Sequence, residues 1–201
     1  MTRSTQRRLF ATTAAAAMAA VGVAAPAAAA PPAEGPGCVV TVDDTRPDAC
    51  FPTFAEALAF ASGGRLVAGP KNASDAVRDP ALQARIDASN AESDRQVRAG
   101  ARAAVVWTVL SIEYEDTGYS GAYLIYSGSN GNCTTRITDR DYSDSSVAAV
   151  WDNRISSFRS YANCWVKHWE NTGFSGASVG PTSSRSSLGL LDDETSSIEW
   201  T

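Results

Sequence analysis

Tyr114-Glu115-Asp116-Thr117-Gly118-Tyr119-Ser120-Gly121-Ala122 returns later in the chain as Trp169-Glu170-Asn171-Thr172-Gly173-Phe174-Ser175-Gly176-Ala177. In each copy two aromatic residues bracket four positions, and a glycine stands two residues after the second ring. Such rings can pack on each other across a folded-over hairpin. Gly121 and Gly176 then sit where the backbone needs a conformation that a side chain forbids. Downstream of the first hairpin comes Asp152-Asn153-Arg154-Ile155-Ser156-Ser157, and downstream of the second Asp192-Asp193-Glu194-Thr195-Ser196-Ser197. Each loop is an acid or amide pair, two free positions and two hydroxyls. The span from hairpin to loop is longer in the first copy, which holds the glycine-rich excursion Ser127-Gly128-Ser129-Asn130-Gly131-Asn132-Cys133.

Around these repeats the chain reads as β-structure. From Val105 to Tyr114 it is rich in β-branched and aromatic residues, and short strand-like runs separated by Gly, Asn, Asp and Ser continue to the end. The tryptophans at 107, 151, 165, 169 and 200 alternate with polar residues and read mostly as core. Residues 105–201 suffice for a two-sheet sandwich.

The preceding segment, 38–104, has another composition. Cys38 to Val42 reads as a short strand. Thr53-Phe54-Ala55-Glu56 has capping-box spacing for a helix ending at Ser62-Gly63-Gly64. Asp79-Pro80 opens a second helix reaching about Arg98. Only Leu82, Ile86 and Val97 are strongly apolar in it, so it reads as an exposed helix or helical linker, and the segment as a small α-rich appendage or pro-region. Residues 30–37 are a Pro/Ala/Gly lead-in expected to be flexible.

Arg3, Arg7 and Arg8 precede an apolar, Ala-rich run and a small-residue cleavage site, the pattern of an export signal over residues 1–29. The run is shorter than the ~20 apolar residues that span a bilayer. Arg7-Arg8-Leu9-Phe10 also matches a twin-arginine pattern, leaving the export route open. The expected destination is extracellular. The formal net charge is −5 and becomes more negative without those arginines, which disfavours nucleic acid and anionic membranes and suits cations or a basic partner. Only Lys71 and Lys167 are lysine among 17 basic residues, a composition typical of a GC-rich, actinobacterial-type genome. Cys38, Cys50, Cys133 and Cys164 form an even set, expected as two disulfides. Three pairings are open, and Cys38–Cys50 with Cys133–Cys164 keeps each within one segment. CxxC spacing is missing and His168 is the single histidine, so zinc is disfavoured. His168 itself reads as a half-exposed strand residue. No nucleophile elbow or second histidine completes a catalytic set, and an enzyme is not expected.

The loops carry the chemistry. Calcium takes six to eight oxygen ligands in flexible geometry, whereas magnesium demands a tight octahedron. Asp152, Asn153, Asp192 and Asp193 offer side-chain oxygens, and Ser156 and Ser196 offer hydroxyls. The same residues are also ordinary turn formers.

The pairing of the two motifs, twice and in the same order, resembles the microbial βγ-crystallin family over residues 105–201. The resemblance implies two four-stranded Greek keys packed as one wedge-shaped sandwich, preceded here by the helical segment. It further implies two calcium ions held between loops of opposite repeats. The carbonyls of Arg154 and Glu194 and the hydroxyls of Ser156 and Ser196 would be ligands, while Ser157 and Ser197 fasten the hairpins. Glu115 and Glu170, inside the hairpin turns, are further candidates from the partner repeat. Arg154 sets a positive charge beside the first site, so the second is expected to be tighter. The expected function is a secreted, monomeric module with structural calcium. Two alternatives share the architecture: a metalloproteinase inhibitor presenting the Cys133–Cys164 region to a secreted proteinase, and a cell-damaging toxin.

Overall fold

The structure is a computed structural model, and it describes residues 37–43, 46–100 and 106–201. The expected export signal and most of the lead-in fall outside them. The described residues belong to one compact unit.

The chain begins with β1 (Gly37–Thr41), β2 (Ala49–Phe51), α1 (Phe54–Ala61), α2 (Ala73–Ala76) and α3 (Pro80–Arg98). The first repeat supplies β3 (Thr108–Asp116), β4 (Ser120–Gly128), β5 (Tyr142–Asp144) and β6 (Ser157–Ser160). The second supplies β7 (Val166–Asn171), β8 (Ser175–Thr182), β9 (Ser184–Arg185) and β10 (Ser197–Trp200), with a short 3-10 turn at Gly189–Leu191. One sheet has the order β2-β1-β4-β3-β6-β9 and the other β5-β10-β7-β8. The third strand of each repeat, β5 or β9, is thus given to the sheet of the other repeat. This exchange interlocks the two Greek keys.

Between the sheets lies a core that includes Leu110, Leu124, Tyr126, Phe158, Val166, Ile198 and Trp200. A second core covers the other face of the larger sheet. There Val109, Ile112, Tyr114, Tyr123 and Ile125 pack against Phe54, Leu58, Leu82 and Ile86 of the helices. The segment expected as an appendage is therefore a third layer of the fold, and β1 extends the sandwich by pairing in parallel with β4. The larger sheet has six strands instead of four for this reason.

Local chemistry places that layer. Thr53 caps α1, its hydroxyl oxygen accepting from the Glu56 amide at 3.3 Å, and Asp79 caps α3 by accepting from Ala81 and Leu82. α3 is not an exposed linker. Beside its apolar Leu82 and Ile86 it turns Ser89, Asn90 and Ser93 inward. The Asn90 amide completes the backbone of Val109, accepting from its N–H at 3.0 Å and donating to its carbonyl at 2.9 Å. Buried backbone groups require such partners. Arg65 donates to both serines and to the Trp107 carbonyl. Arg46 lies between the Phe60 and Trp107 rings at 3.8 and 3.7 Å and donates to Thr41, Phe60 and Ser127. Burial pulls its pKa down to about 10, against the opposing effect of Asp43.

Disulfides join Cys38 to Cys50, across the β1–β2 pair, and Cys133 to Cys164. This is the within-segment pairing. Among the described residues no helix is long and apolar enough to cross a membrane.

Candidate cation site

Each hairpin is folded over and locked by the last serine of the loop that follows it. Ser157 Oγ accepts from the Tyr119 amide at 3.0 Å and donates to the Asp116 carbonyl at 2.6 Å. Ser197 Oγ does the same with Phe174 at 3.0 Å and Asn171 at 2.6 Å. Tyr114 and Tyr119 meet edge to face with centroids 5.8 Å apart. Gly121 and Gly176 have φ of 79° and 81°, and a Cβ on Gly121 would stand 2.7 Å from Asp116 Oδ2. The second pair of rings is fixed differently: Lys167 lies over Trp169 and Arg140 over Phe174.

The two acid–hydroxyl loops lie side by side and are matched bond for bond. The Ser156 amide donates to Tyr114 O and the Ser196 amide to Trp169 O, both at 2.9 Å. The Asn153 amide crosses to Thr195 O at 3.1 Å, and the Asp193 amide crosses to Ile155 O at 3.3 Å. Asn153 and Asp193 both adopt the left-handed conformation, with φ of 57° and 58°. Asn and Asp tolerate that region better than other side chains.

The hydroxyls also cross over. Ser156 Oγ donates to Asp193 Oδ1 at 3.0 Å, and Ser196 Oγ donates to Asp152 Oδ1 at 2.6 Å with Asn153 Oδ1 at 3.3 Å. The serines are buried, whereas Asp192, Asp193 and Glu194 are exposed. One cluster therefore joins Asp152 and Asn153 to the hydroxyl of the other loop's Ser196, and the other joins Asp193 to that of Ser156. Among the described residues, no three His, Cys, Asp or Glu side chains converge as metal ligands. An ion here would take hydroxyl, amide and carbonyl oxygens beside single carboxylates. That all-oxygen, mixed set fits calcium. Thr195 adds a buried hydroxyl without a partner among the described residues, at the position where the first loop has Ile155.

The hairpin glutamates occupy like positions. Glu115 Oε2 accepts from the Ala122 amide at 3.3 Å, and Glu170 Oε2 from the Ala177 amide at 2.9 Å. Their surroundings differ. Arg154 donates through Nε and Nη2 to Glu115 Oε1, with Nε at 3.2 Å, and through Nη1 to the Val150 carbonyl at 2.8 Å. Hydrogen bonding from Arg154 holds the Glu115 carboxyl below the usual carboxylate range, against a smaller effect of partial burial. The residue matching Arg154 in the second loop is Glu194.

His168 is a correction. The residue read as a half-exposed strand position is fully buried, with Nε2 at 3.1 Å from Glu113 Oε2, and Glu113 is equally buried. Of the tryptophans, 107, 151 and 200 are core, while Trp165 is 44% exposed.

No protein-family model and no curated protein matches the chain. Among solved structures it is similar to the N-terminal domain of protein S, at 16% identity and a TM-score of 0.35, covering 46% of this chain and 94% of that one. It is also similar to a βγ-crystallin domain from Flavobacterium johnsoniae, at 23% identity and a TM-score of 0.33, over 46% of this chain and 93% of that one. A βγ-crystallin domain from Clostridium beijerinckii gives 18% identity and a TM-score of 0.34, over 45% and 95%. The fold of residues 106–201 is βγ-crystallin-like. Doubled locked hairpins and exchanged third strands define it here, and the βγ-crystallin likeness extends to fold alone.

Proposed function

We propose that this chain is an exported βγ-crystallin-like module in which calcium, held at the paired loops, is a structural ion. The observation that carries the reading is the crossing of Ser156 to Asp193 and of Ser196 to Asp152 and Asn153. Each loop alone is a turn. Together they bring hydroxyl, carboxylate and amide oxygens to one place from two distant parts of the chain. Asp152, Asn153, the Arg154 carbonyl and Ser196 would hold one ion; Asp192, Asp193, the Glu194 carbonyl and Ser156 the other. The ion would supply positive charge that cross-links the loops and so the two Greek keys. Extracellular calcium modules bind at ~10⁻⁴–10⁻³ M, which suits a permanently loaded ion outside the cell. The export pattern and the two disulfides support that location. Calorimetric titration of chelator-treated protein tests the reading. Saturable binding that Ser156→Ala weakens is expected, and absence of heat would reduce both loops to turns.

A second reading, a proteinase inhibitor, is favoured by one observation. Residues 134–140 form an exposed loop whose base is closed by Asp141, which accepts from the Thr134 amide at 2.9 Å and its hydroxyl at 3.3 Å, beside the Cys133–Cys164 bridge. Ile137, 50% exposed, stands on it. Stoichiometric block of a thermolysin-like proteinase would support this reading, and unhindered proteolysis would remove it.

A further inference from the structure

We propose that Arg154 is a built-in counter-ion that shuts the first calcium site, so that the chain holds one ion, at the second loop. The inference rests on the calcium reading above and goes beyond it, because it assigns different behaviour to two sites whose backbones match.

The repeats agree in every backbone feature that would position an ion: the left-handed Asn153 and Asp193, the crossed amides, and the anchoring of Ser156 and Ser196 to the hairpin strands. They also agree in placing a hairpin glutamate against the amide of Ala122 or Ala177. Their loops differ in side chain at Asn153/Asp193, Arg154/Glu194 and Ile155/Thr195, and only the Arg154/Glu194 position exchanges a positive for a negative charge. In the first loop the guanidinium of Arg154 grips Glu115 and is steadied by the Val150 carbonyl. In the second, Glu194 stands in its place and Glu170 has no arginine on it among the described contacts. A guanidinium cannot lose its proton near neutrality and forms forked bonds to carboxylates. It satisfies the carboxylate that a divalent ion would otherwise attract, and it repels that ion.

The contribution expected from residue 154 as a ligand is its carbonyl, not its side chain. The side chain can therefore be changed without removing a ligand. Arg154 is half exposed, so the charge effect is screened by solvent. At least about a tenfold weaker affinity remains expected from one unit charge beside a divalent ion, which leaves the first site empty at the calcium concentration that fills the second.

The experiment is calorimetric calcium titration of the full chain and of three variants, with Tm followed with and without calcium. Wild type is expected to bind a single ion, Arg154→Ser to gain a second, and Glu194→Arg to lose the one it has. Arg154→Ser combined with Glu194→Arg is expected to bind a single ion again, now at the first loop. Two ions of like affinity in wild type, or no second ion in Arg154→Ser, would overturn the proposal while leaving the calcium reading in place. No calcium bound by any of the four proteins would sink the calcium reading itself and the proposal with it. A low unfolding temperature in a variant before calcium is added identifies a folding defect, and in that case Arg154→Gln, which keeps the stem and drops the charge, must gain the second ion.

Discussion

A chain beginning at Val106 is expected to lose its native fold and to aggregate. The repeats by themselves look complete, yet one face of the larger sheet is apolar and covered. Val109, Ile112, Tyr114, Tyr123 and Ile125 pack there against the helices and are 0–2% exposed. Burying each such side chain contributes about 1.5–3 kcal/mol. The sum rivals the whole ~5–15 kcal/mol by which a domain is stable. Truncation would also strip β1 from β4 and leave an unpaired, hydrophobic sheet edge, a known route to aggregation. The corresponding face of the smaller sheet needs no cover. Lys167 lies 3.9 Å over Trp169, Trp169 Nε1 donates to Glu199 at 2.7 Å, and Arg140 pairs with Glu199. Sedimentation and near-ultraviolet circular dichroism decide the matter. Aggregates or lost tertiary signal are expected. A monodisperse truncated protein with native-like dichroism would make the helical layer a dispensable pro-segment.

Glu113→Ala or His168→Ala is expected to cost about 3–5 kcal/mol, the usual penalty for breaking a buried charged or polar pair from one side. Both side chains are fully buried between the sheets, 3.1 Å apart. Ser111 Oγ donates to Glu113 Oε1 at 2.5 Å and accepts from Trp200 Nε1 at 3.1 Å. Register makes the pair notable. Tyr114 of the first hairpin matches Trp169 of the second, so Glu113 and His168 are equivalent positions of the two repeats. They meet as the polar link between β3 and β7. Removing one leaves its partner without that link in an apolar core. Replacing both, as Glu113→Leu with His168→Leu, is expected to recover much of the loss, because well-packed apolar residues often substitute for a buried pair. Urea unfolding of the two single variants and the double variant reads this out. Single losses below about 1 kcal/mol would show that the pair is not a stabilising unit.

The hairpins and loops were legible because their information is local. A turn glycine, an aromatic pair and a locking serine recur within a few residues, and the copies confirm each other. Strand content and the helix caps at Thr53 and Asp79 were legible for the same reason. The helical layer was not. Its inward faces are built largely from Ala57, Ala61, Ala73 and Ala76 and from Ser89, Asn90 and Ser93, so hydrophobic periodicity understates its burial. Asn90 reads as a surface residue until the Val109 backbone stands opposite it. His168 was misread because a polar residue alternating with Lys167 and Trp169 has no sequence signal for facing inward. Its partner lies in the other repeat. Glu115 stands as a candidate ligand from the partner repeat by its place in the hairpin turn, and the sequence carries no signal for the contact that Arg154 makes with its carboxylate.

Thermal unfolding of the full chain in calcium and in chelator tests the central claim most directly. An ion that binds only the folded state adds about 2.7 kcal/mol at one hundred times its Kd. For a chain of this size each kcal/mol moves Tm by about 2–4 °C, so saturating calcium should raise Tm by roughly 5–10 °C. The rise should be lost in Ser156→Ala, whose hydroxyl meets Asp193. A Tm that is the same in calcium and in chelator would contradict the account and leave the paired loops as turns.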